Sequence, residues 1–211
     1  GTYTNNITGT YRVSDPSGND VTAQFKVGTT NGTLEIAKRE ITVTATGGEK
    51  EYDGKALTAE EKGYEITAGS LAANQEEAVV LSGSRTLVGS ADAVVESVVI
   101  TDAAGNDVSA NYEITKQKGT LTITNRDAQY EITLVANSST GNTYDGTEKS
   151  VSGVVTDRFT VNGVEYTVSG YTTEDPSETK AGTYTNNITG PFTVSGPGGV
   201  DVSDQFRVGT I

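Results

Sequence analysis

Residues 1–30, GTYTNNITGTYRVSDPSGNDVTAQFKVGTT, return at 182–211 as GTYTNNITGPFTVSGPGGVDVSDQFRVGTI, without a gap and with 20 of 30 positions identical. Self-similarity at a fixed distance is the signature of a chain built from one recurring supersecondary unit. A third, more distant copy lies between them. The stretch 98–123, VVITDAAGNDVSANYEITKQKGTLTI, matches 11–36 so that Asp20, Phe25, Gly32 and Leu34 correspond to Asp107, Tyr112, Gly119 and Leu121. The offset there is 87 residues, and from Asp107 to Asp201 it is 94, so the unit is about 90 residues long. The near-identical text returns after two such units.

A second landmark fixes the frame. Tyr-Asp-Gly occurs at 52–54, in EKEYDGKALT, and at 144–146, in GNTYDGTEKS. Each follows an apolar strand pattern, Ile41 to Ala45 in one case and Ile132 to Val135 in the other. On this frame residues 1–38 are the C-terminal part of one repeat domain, 39–125 a complete domain, and 126–211 a domain lacking its last strand. The ends of the sequence are thus expected to be out of register with the repeat. Residues 126–211 would then carry an open sheet edge, and 1–38 would offer the missing strand. Strand addition of 1–38 of one molecule to 139–181 of the next is the expected head-to-tail self-association.

Local periodicity is that of strands. In REITVTA, Ile41, Val43 and Ala45 alternate with Thr42 and Thr44; in GTLTI, Leu121 and Ile123 alternate with Thr120 and Thr122. Thr is the commonest residue at 34 positions and Gly follows at 25, a composition that suits pleated surfaces and turns. The fold class expected is all-β, as tandem small β-sandwich (Ig-like) domains, with a β-grasp arrangement as the alternative. Residues 39–125 should form one domain of about seven strands, with 41–45 and 120–124 in strands. SLAANQEEAVV at 70–80 is the one helix-like stretch.

Composition removes several functions. No Cys, His, Met or Trp is present, which leaves no disulfide framework, no thiolate metal site and neither of the commonest catalytic bases and nucleophiles. A net charge of −13 repels nucleic acid and anionic lipid. No apolar run reaches the roughly 18 residues of a membrane helix, and no signal peptide pattern is present.

Two motifs invite chemistry. In the Tyr-Asp-Gly turn (Tyr52, Asp53, Gly54; Tyr144, Asp145, Gly146) the structural reading puts the Tyr on the end of the core, the Asp on backbone N–H groups and the Gly at positive φ. A ligand-contacting loop is the other reading. The second motif is an acidic turn, Asp15 to Asp20 and Asp102 to Asp107, with Gly196 to Asp201 as the third copy. Two carboxylates around a Gly make Asp15, Asp20, Asp102 and Asp107 calcium candidates. Against that reading, Gly196 replaces the first Asp, the D-x-D-x-D-G pattern is absent, and a hairpin calls for Gly and Asx here anyway. The assignment is therefore no metal, no cofactor and no enzyme. Carbohydrate sites favour aromatic platforms, and Phe159, Tyr166 and Tyr171 are the candidates for ligand contact. A Lys–Asn isopeptide crosslink needs a buried Lys; Lys38, Lys55 and Lys118 sit at junctions or turns, and only Lys26 has apolar neighbours. The sequons at Asn6, Asn31, Asn137 and Asn187 matter only in a glycosylating host.

Tyr-Asp-Gly followed by GSLAANQEEAVVLSGSRTLVGSA (69–91) and ITDAAGNDVSANYEITKQKGTLTIT (100–124) resembles the YDG/MBG-type tandem repeats of bacterial cell-surface adhesins. The resemblance covers essentially the whole chain and is strongest in 49–125. It implies an extracellular, wall-attached stalk or spacer segment that projects a distal binding domain, with neighbouring repeat domains as partners. The alternative is that the repeat domains themselves bind host glycan or protein. The resemblance carries no catalytic residues.

Overall fold

Period-two alternation becomes strand nearly everywhere it occurs. The computed structural model describes residues 1–211 and is all-β, with twenty strands. The first eleven are β1 (Thr2–Asn5), β2 (Gly32–Glu35), β3 (Arg39–Ala45), β4 (Gly48–Glu51), β5 (Leu57–Thr58), β6 (Tyr64–Gly69), β7 (Gln75–Ser82), β8 (Ser84–Arg85), β9 (Gly89–Asp102), β10 (Tyr112–Gln117) and β11 (Gly119–Thr124). The rest are β12 (Tyr130–Leu134), β13 (Lys149–Ser150), β14 (Arg158–Val161), β15 (Val164–Ser169), β16 (Thr172–Thr173), β17 (Ser177–Glu178), β18 (Ile188–Thr189), β19 (Thr193–Ser195) and β20 (Phe206–Thr210).

The single α-helix, α1 (Ala59–Lys62), is one turn held by a capping box. Thr58 Oγ1 accepts from the Glu61 backbone N–H at 3.3 Å, and the Glu61 carboxylate accepts from the Thr58 N–H at 3.2 Å. The helix-like text at 70–80 is not helical. Its C-terminal half belongs to β7, where side chains alternate between half-buried and exposed. Asn74, at φ +59°, turns the chain into that strand. Ala and Glu favour helix in isolation, but propensity is a weak prior and ladder pairing overrides it.

The residues group into two compact units. The first contains 1–43, 66–79 and 97–116; the second contains 44–65, 80–96 and 117–211. This grouping crosses the sequence frame, since both units draw on 39–125. In the first unit, β1 pairs with β2 antiparallel, and a three-stranded sheet runs β10–β3–β6. Ile41 and Val43 of β3 are buried together with Ile100 and Tyr112.

The second unit contains β4, β11 and the first part of β9, which follow one another in the strand order β4–β11–β9–β7. Here β11 has a partner on each edge: β9 antiparallel, from Gly119 opposite Ala93 to Ile123 opposite Gly89, and β4 parallel, from Leu121 opposite Gly48 to Thr124 opposite Glu51. Leu121 and Ile123 are buried. A second parallel pair joins β12 to β20, from Tyr130 opposite Phe206 to Leu134 opposite Thr210. The remaining ladders are β14–β15–β19, β13–β17, β16–β18 and β5–β8.

The near-identical copies have different fates. Phe206 is 5 % exposed, whereas its counterpart Phe25 is 58 % exposed. β20 has β12 beside it, and residues 25–29 form no strand. Likewise Leu121 is fully buried and its counterpart Leu34 is 56 % exposed. Truncating a buried Leu loses transfer free energy and leaves a cavity, at a cost of about 2–5 kcal/mol. Away from the core the change is within roughly 0.5 kcal/mol. Urea titration should therefore show Leu121→Ala destabilised by about 2–5 kcal/mol and Leu34→Ala close to the parent. Equal losses for the two would contradict these placements.

Candidate functional site

The two Tyr-Asp-Gly turns are built alike. The Asp53 carboxylate accepts from the Lys55 backbone N–H at 2.9 Å and from Lys50 Nζ at 2.9 Å. The Asp145 carboxylate accepts from the Thr147 N–H at 2.9 Å and from Lys149 Nζ at 3.0 Å. Gly54 sits at φ +78° and Gly146 at φ +77°. Each Asp bridges two residues along the chain, and each Gly occupies the left-handed region that other residues avoid.

The tyrosines differ. Tyr144 is 70 % exposed, while Tyr52 is 1 % exposed. Tyr52 is held by its backbone N–H on Thr124 O at 3.0 Å. Its hydroxyl lies 3.5 Å from that of Tyr166, and either can donate. The Tyr166 ring meets Phe206 at 4.6 Å between centroids, and Phe206 meets Tyr130 at 5.5 Å. Both pairs are tilted, an arrangement that sets ring edges against faces and adds about 0.5–1.5 kcal/mol per pair.

Arg126 closes the cluster. Its guanidinium lies 4.0 Å over the Tyr130 ring, a cation–π contact. Nη1 donates to Tyr52 O at 3.3 Å and to the Tyr130 hydroxyl at 3.0 Å, with a Glu51 carboxylate oxygen 3.6 Å away. Beneath it, buried Gln205 accepts the Arg126 backbone N–H at 3.1 Å and donates to Asn125 Oδ1 at 2.8 Å. No buried side-chain polar atom lacks a partner.

This cluster is a joint. It ties the turn at 51–54 to residues 125–130, 166 and 205–206. Burial, then the Tyr52 hydroxyl, push the Tyr166 phenol above its ordinary pKa, so it stays protonated. The arrangement contains hydrogen-bond donors and aromatic faces, and its chemistry is cohesion.

Tyr166, a ligand-contact candidate from the sequence, is 1 % exposed, with Phe206 and Tyr52 against it. The divergent stretch around it folds into β14 and β15, whose pairing puts Tyr166 on the covered face. Phe159, opposite Tyr166 in that ladder, and Tyr171 are half-buried. Lys26, Lys38, Lys55 and Lys118 are exposed. Sequence reasoning did not single out Arg126, Tyr130, Gln205 or Phe206. Two signals bear on them: an Arg recurs at the start of each unit, at 39 and 126, and an aromatic recurs at 25, 112 and 206.

The acidic turns are superimposable in their bonding. Asp15, Asp102 and Gly196 each donate a backbone N–H to residue i+4, Asn19, Asn106 and Val200, at 3.0, 3.0 and 2.9 Å. Asp15 and Asp102 also accept the backbone N–H groups of residues i+2 and i+4. Asp20, Asp107 and Asp201 each accept the N–H of residue i+2. In the same three places a hydroxyl, Thr22, Ser109 or Ser203, accepts the N–H of Val13, Ile100 or Val194. The carboxylates of the four calcium candidates therefore already serve as local acceptors, and the turn without the first Asp keeps the same backbone bonds.

Two predictions follow from this geometry. A Cβ on Gly54 would collide with the Tyr166 hydroxyl, while one on Gly146 meets nothing within 4 Å. Both positions carry the left-handed penalty of about 1–2 kcal/mol. Gly54→Ala should thus lose clearly more stability than Gly146→Ala in parallel denaturant titrations; equal losses would remove the joint. The second concerns acid. Hydrogen bonds from the Asn106 side chain and backbone hold the Asp102 carboxyl below its usual range, and those from Ser109 do the same for Asp107. A carboxyl with a depressed folded pKa stabilises the fold above its unfolded pKa of about 3.9, and that contribution fades as pH falls through the folded value. Melting temperature should be flat from pH 7 to about 5 and fall below about 4, less steeply in Asp102→Asn/Asp107→Asn. A profile unchanged by the double substitution would contradict this.

Compared with known proteins, the chain matches no family model, no curated protein and no solved structure.

Proposed function

We propose that the chain is a structural spacer, a segment of a tandem-repeat stalk of a bacterial surface adhesin that projects a distal binding domain outward from the cell wall. The observation that carries this reading is the parallel pairing of β12 with β20, the first and last strands of 126–211. When a chain is pulled by its two ends, adjacent parallel end strands slide along each other. All the ladder bonds between them are then loaded together. Antiparallel end strands, or parallel strands pulled from the same end, open one bond at a time. Such an arrangement suits a segment whose task is to hold under tension.

The joint at Tyr52, Arg126 and Tyr166 supports the same reading. It fastens residues on either side of Asn125 through buried rings and satisfied hydrogen bonds. An acidic, Thr-rich surface keeps such a segment soluble and self-repelling. The resemblance of 49–125 to surface repeats supplies the cellular setting, and nothing in the reading requires catalysis or a cofactor.

The test is mechanical. The chain has no Cys, so handles can be placed by single Cys substitutions. With handles at Ala128 and Ile211 the β12–β20 pair is sheared; with handles at Asn137 and Ile211 it is peeled. The spacer reading expects a rupture force several-fold higher in the first geometry. Equal, low forces would contradict it, as would saturable binding of the chain on glycan or host-protein arrays, which would make the domains themselves adhesive.

A further inference from the structure

The hairpin β14–β15 turns on two residues, Asn162 and Gly163, between the facing pair Val161 and Val164. Asn162 lies at φ +53° and Gly163 at φ +79°. Two positive φ values in a two-residue loop make a type I′ turn, the turn that Asn-Gly favours. Both residues are exposed. The Asn162 side chain reaches the joint. Its Nδ2 donates to the Tyr130 hydroxyl at 2.6 Å, the same hydroxyl that accepts Arg126 Nη1 at 3.0 Å. The Gly163 N–H bonds to no group of the chain.

A carboxamide is most open to attack by the next backbone nitrogen when that nitrogen belongs to Gly, which has no side chain to hinder the approach. Only Asn31 and Asn162 precede a Gly. The Asn31 carboxamide is held at both ends, with Oδ1 accepting the Ile7 N–H at 3.4 Å and Nδ2 donating to Asn6 Oδ1 at 2.9 Å. The Asn162 carboxamide is held by Nδ2 alone. While the hairpin is closed, the turn forbids the attack. A left-handed residue has ψ near about +47°. For an L-residue that sets the next nitrogen across the Cα–C bond from Cβ, out of reach of Cγ. Opening the hairpin frees ψ and lets the nitrogen swing to the Cβ side.

We propose that Asn162 is a self-modification site gated by the hairpin, with water as the only co-reactant, and that its product keeps β14 from re-pairing with β15. In the opened turn the Gly163 nitrogen attacks Asn162 Cγ. The N–Cγ bond forms and the Cγ–Nδ2 bond breaks. Nδ2 leaves as ammonia, with its own hydrogens and the proton of Gly163. Water then opens the succinimide ring. Cleavage between Cγ and nitrogen gives aspartate. Cleavage between the main-chain carbon and nitrogen gives isoaspartate, whose backbone runs through the side chain and is longer by a methylene. The two-residue turn sets the register of Val161 opposite Val164, and the lengthened link breaks it. The new carboxylate also no longer donates to Tyr130. A hairpin that has once opened is thereby marked, and β15, which carries Tyr166 into the joint, loses its partner strand. This inference does not rest on the spacer reading.

Peptide mapping by mass spectrometry tests it on the full chain at neutral pH. In native buffer, conversion of Asn162 should be slower than in the free peptide Thr-Val-Asn-Gly-Val-Glu, by about tenfold for each ~1.4 kcal/mol that opening costs. In unfolding urea the two rates should agree. Chain aged in urea is then returned to buffer. Hydrogen exchange should find the amides of 158–169 unprotected in the fraction with isoaspartate at 162 and protected in the unaged chain. Aged Asn162→Gln, in which Asn31 still converts, should regain that protection. So should Asn162→Asp, which has the carboxylate on a backbone of normal length. Conversion of the folded chain at the peptide's rate overturns the gate. Protection regained by the isoaspartate fraction, or lost equally in Asn162→Asp, overturns the block on re-pairing.

Discussion

Tyr52 is buried, and the side chains that hold it arrive far downstream in the chain. Its hydroxyl meets that of Tyr166, 114 positions downstream, and its carbonyl is held by Arg126. The Tyr-Asp-Gly turn itself is a local object, and Asp145 and Gly146 form it equally well with Tyr144 exposed. What converts the turn into part of a core is the pair of partners Tyr166 and Arg126, the first backed by Phe206 and the second lying over Tyr130. Remove them and the residue that would otherwise anchor the turn becomes a large apolar surface. The turn at 51–54 is thereby coupled to the text that follows it. On the spacer reading this coupling is the nearest-neighbour term of a repeat array, where stability is a sum of unit and interface contributions.

The paired copies make the same point about strands. Phe25 and Phe206 stand in the same local text, as do Leu34 and Leu121 in closely related text. Their exposures are opposite because a pleated ribbon buries its apolar face only when another ladder or layer lies against it. Burial here is a property of the partner strand more than of the residue. That is also why the parallel pairs β4–β11 and β12–β20 matter. They join segments far apart in sequence and bring the last strand of each stretch alongside one of its first.

Whatever is local was legible in the sequence. Strands at Arg39–Ala45 and Gly119–Thr124 announce themselves by alternation. The acidic turns announce themselves by Gly and Asx at fixed offsets, because those residues make bonds within four positions. Gln75–Ser82 did not, since its Ala and Glu content favours helix in isolation and only the pairing of β7 with β9 decides otherwise. The joint was not legible either. Gln205 looks like an ordinary polar residue in VSDQF, yet it is buried between Arg126 and Asn125. Tyr166 shares the apolar face of VEYTVS with Val164 and Val168, which marks it for burial, but nothing local says that Tyr52 and Phe206 lie against it. The grouping of residues into two units follows sheets assembled from distant segments, and no periodicity encodes it.

The bonds that Arg126, Tyr166 and Gln205 make tie residues on the two sides of Asn125 together. Backbone ¹⁵N relaxation of the full chain tests this tie most directly. If the joint holds, amides of 48–58, 126–134 and 164–169 share one rotational correlation time, and those of 125–127 are as ordered as their neighbours. Substituting Arg126→Ala together with Tyr166→Ala should separate the values on the two sides. Distinct correlation times already present in the parent chain, with disorder at 125–127, would contradict the account.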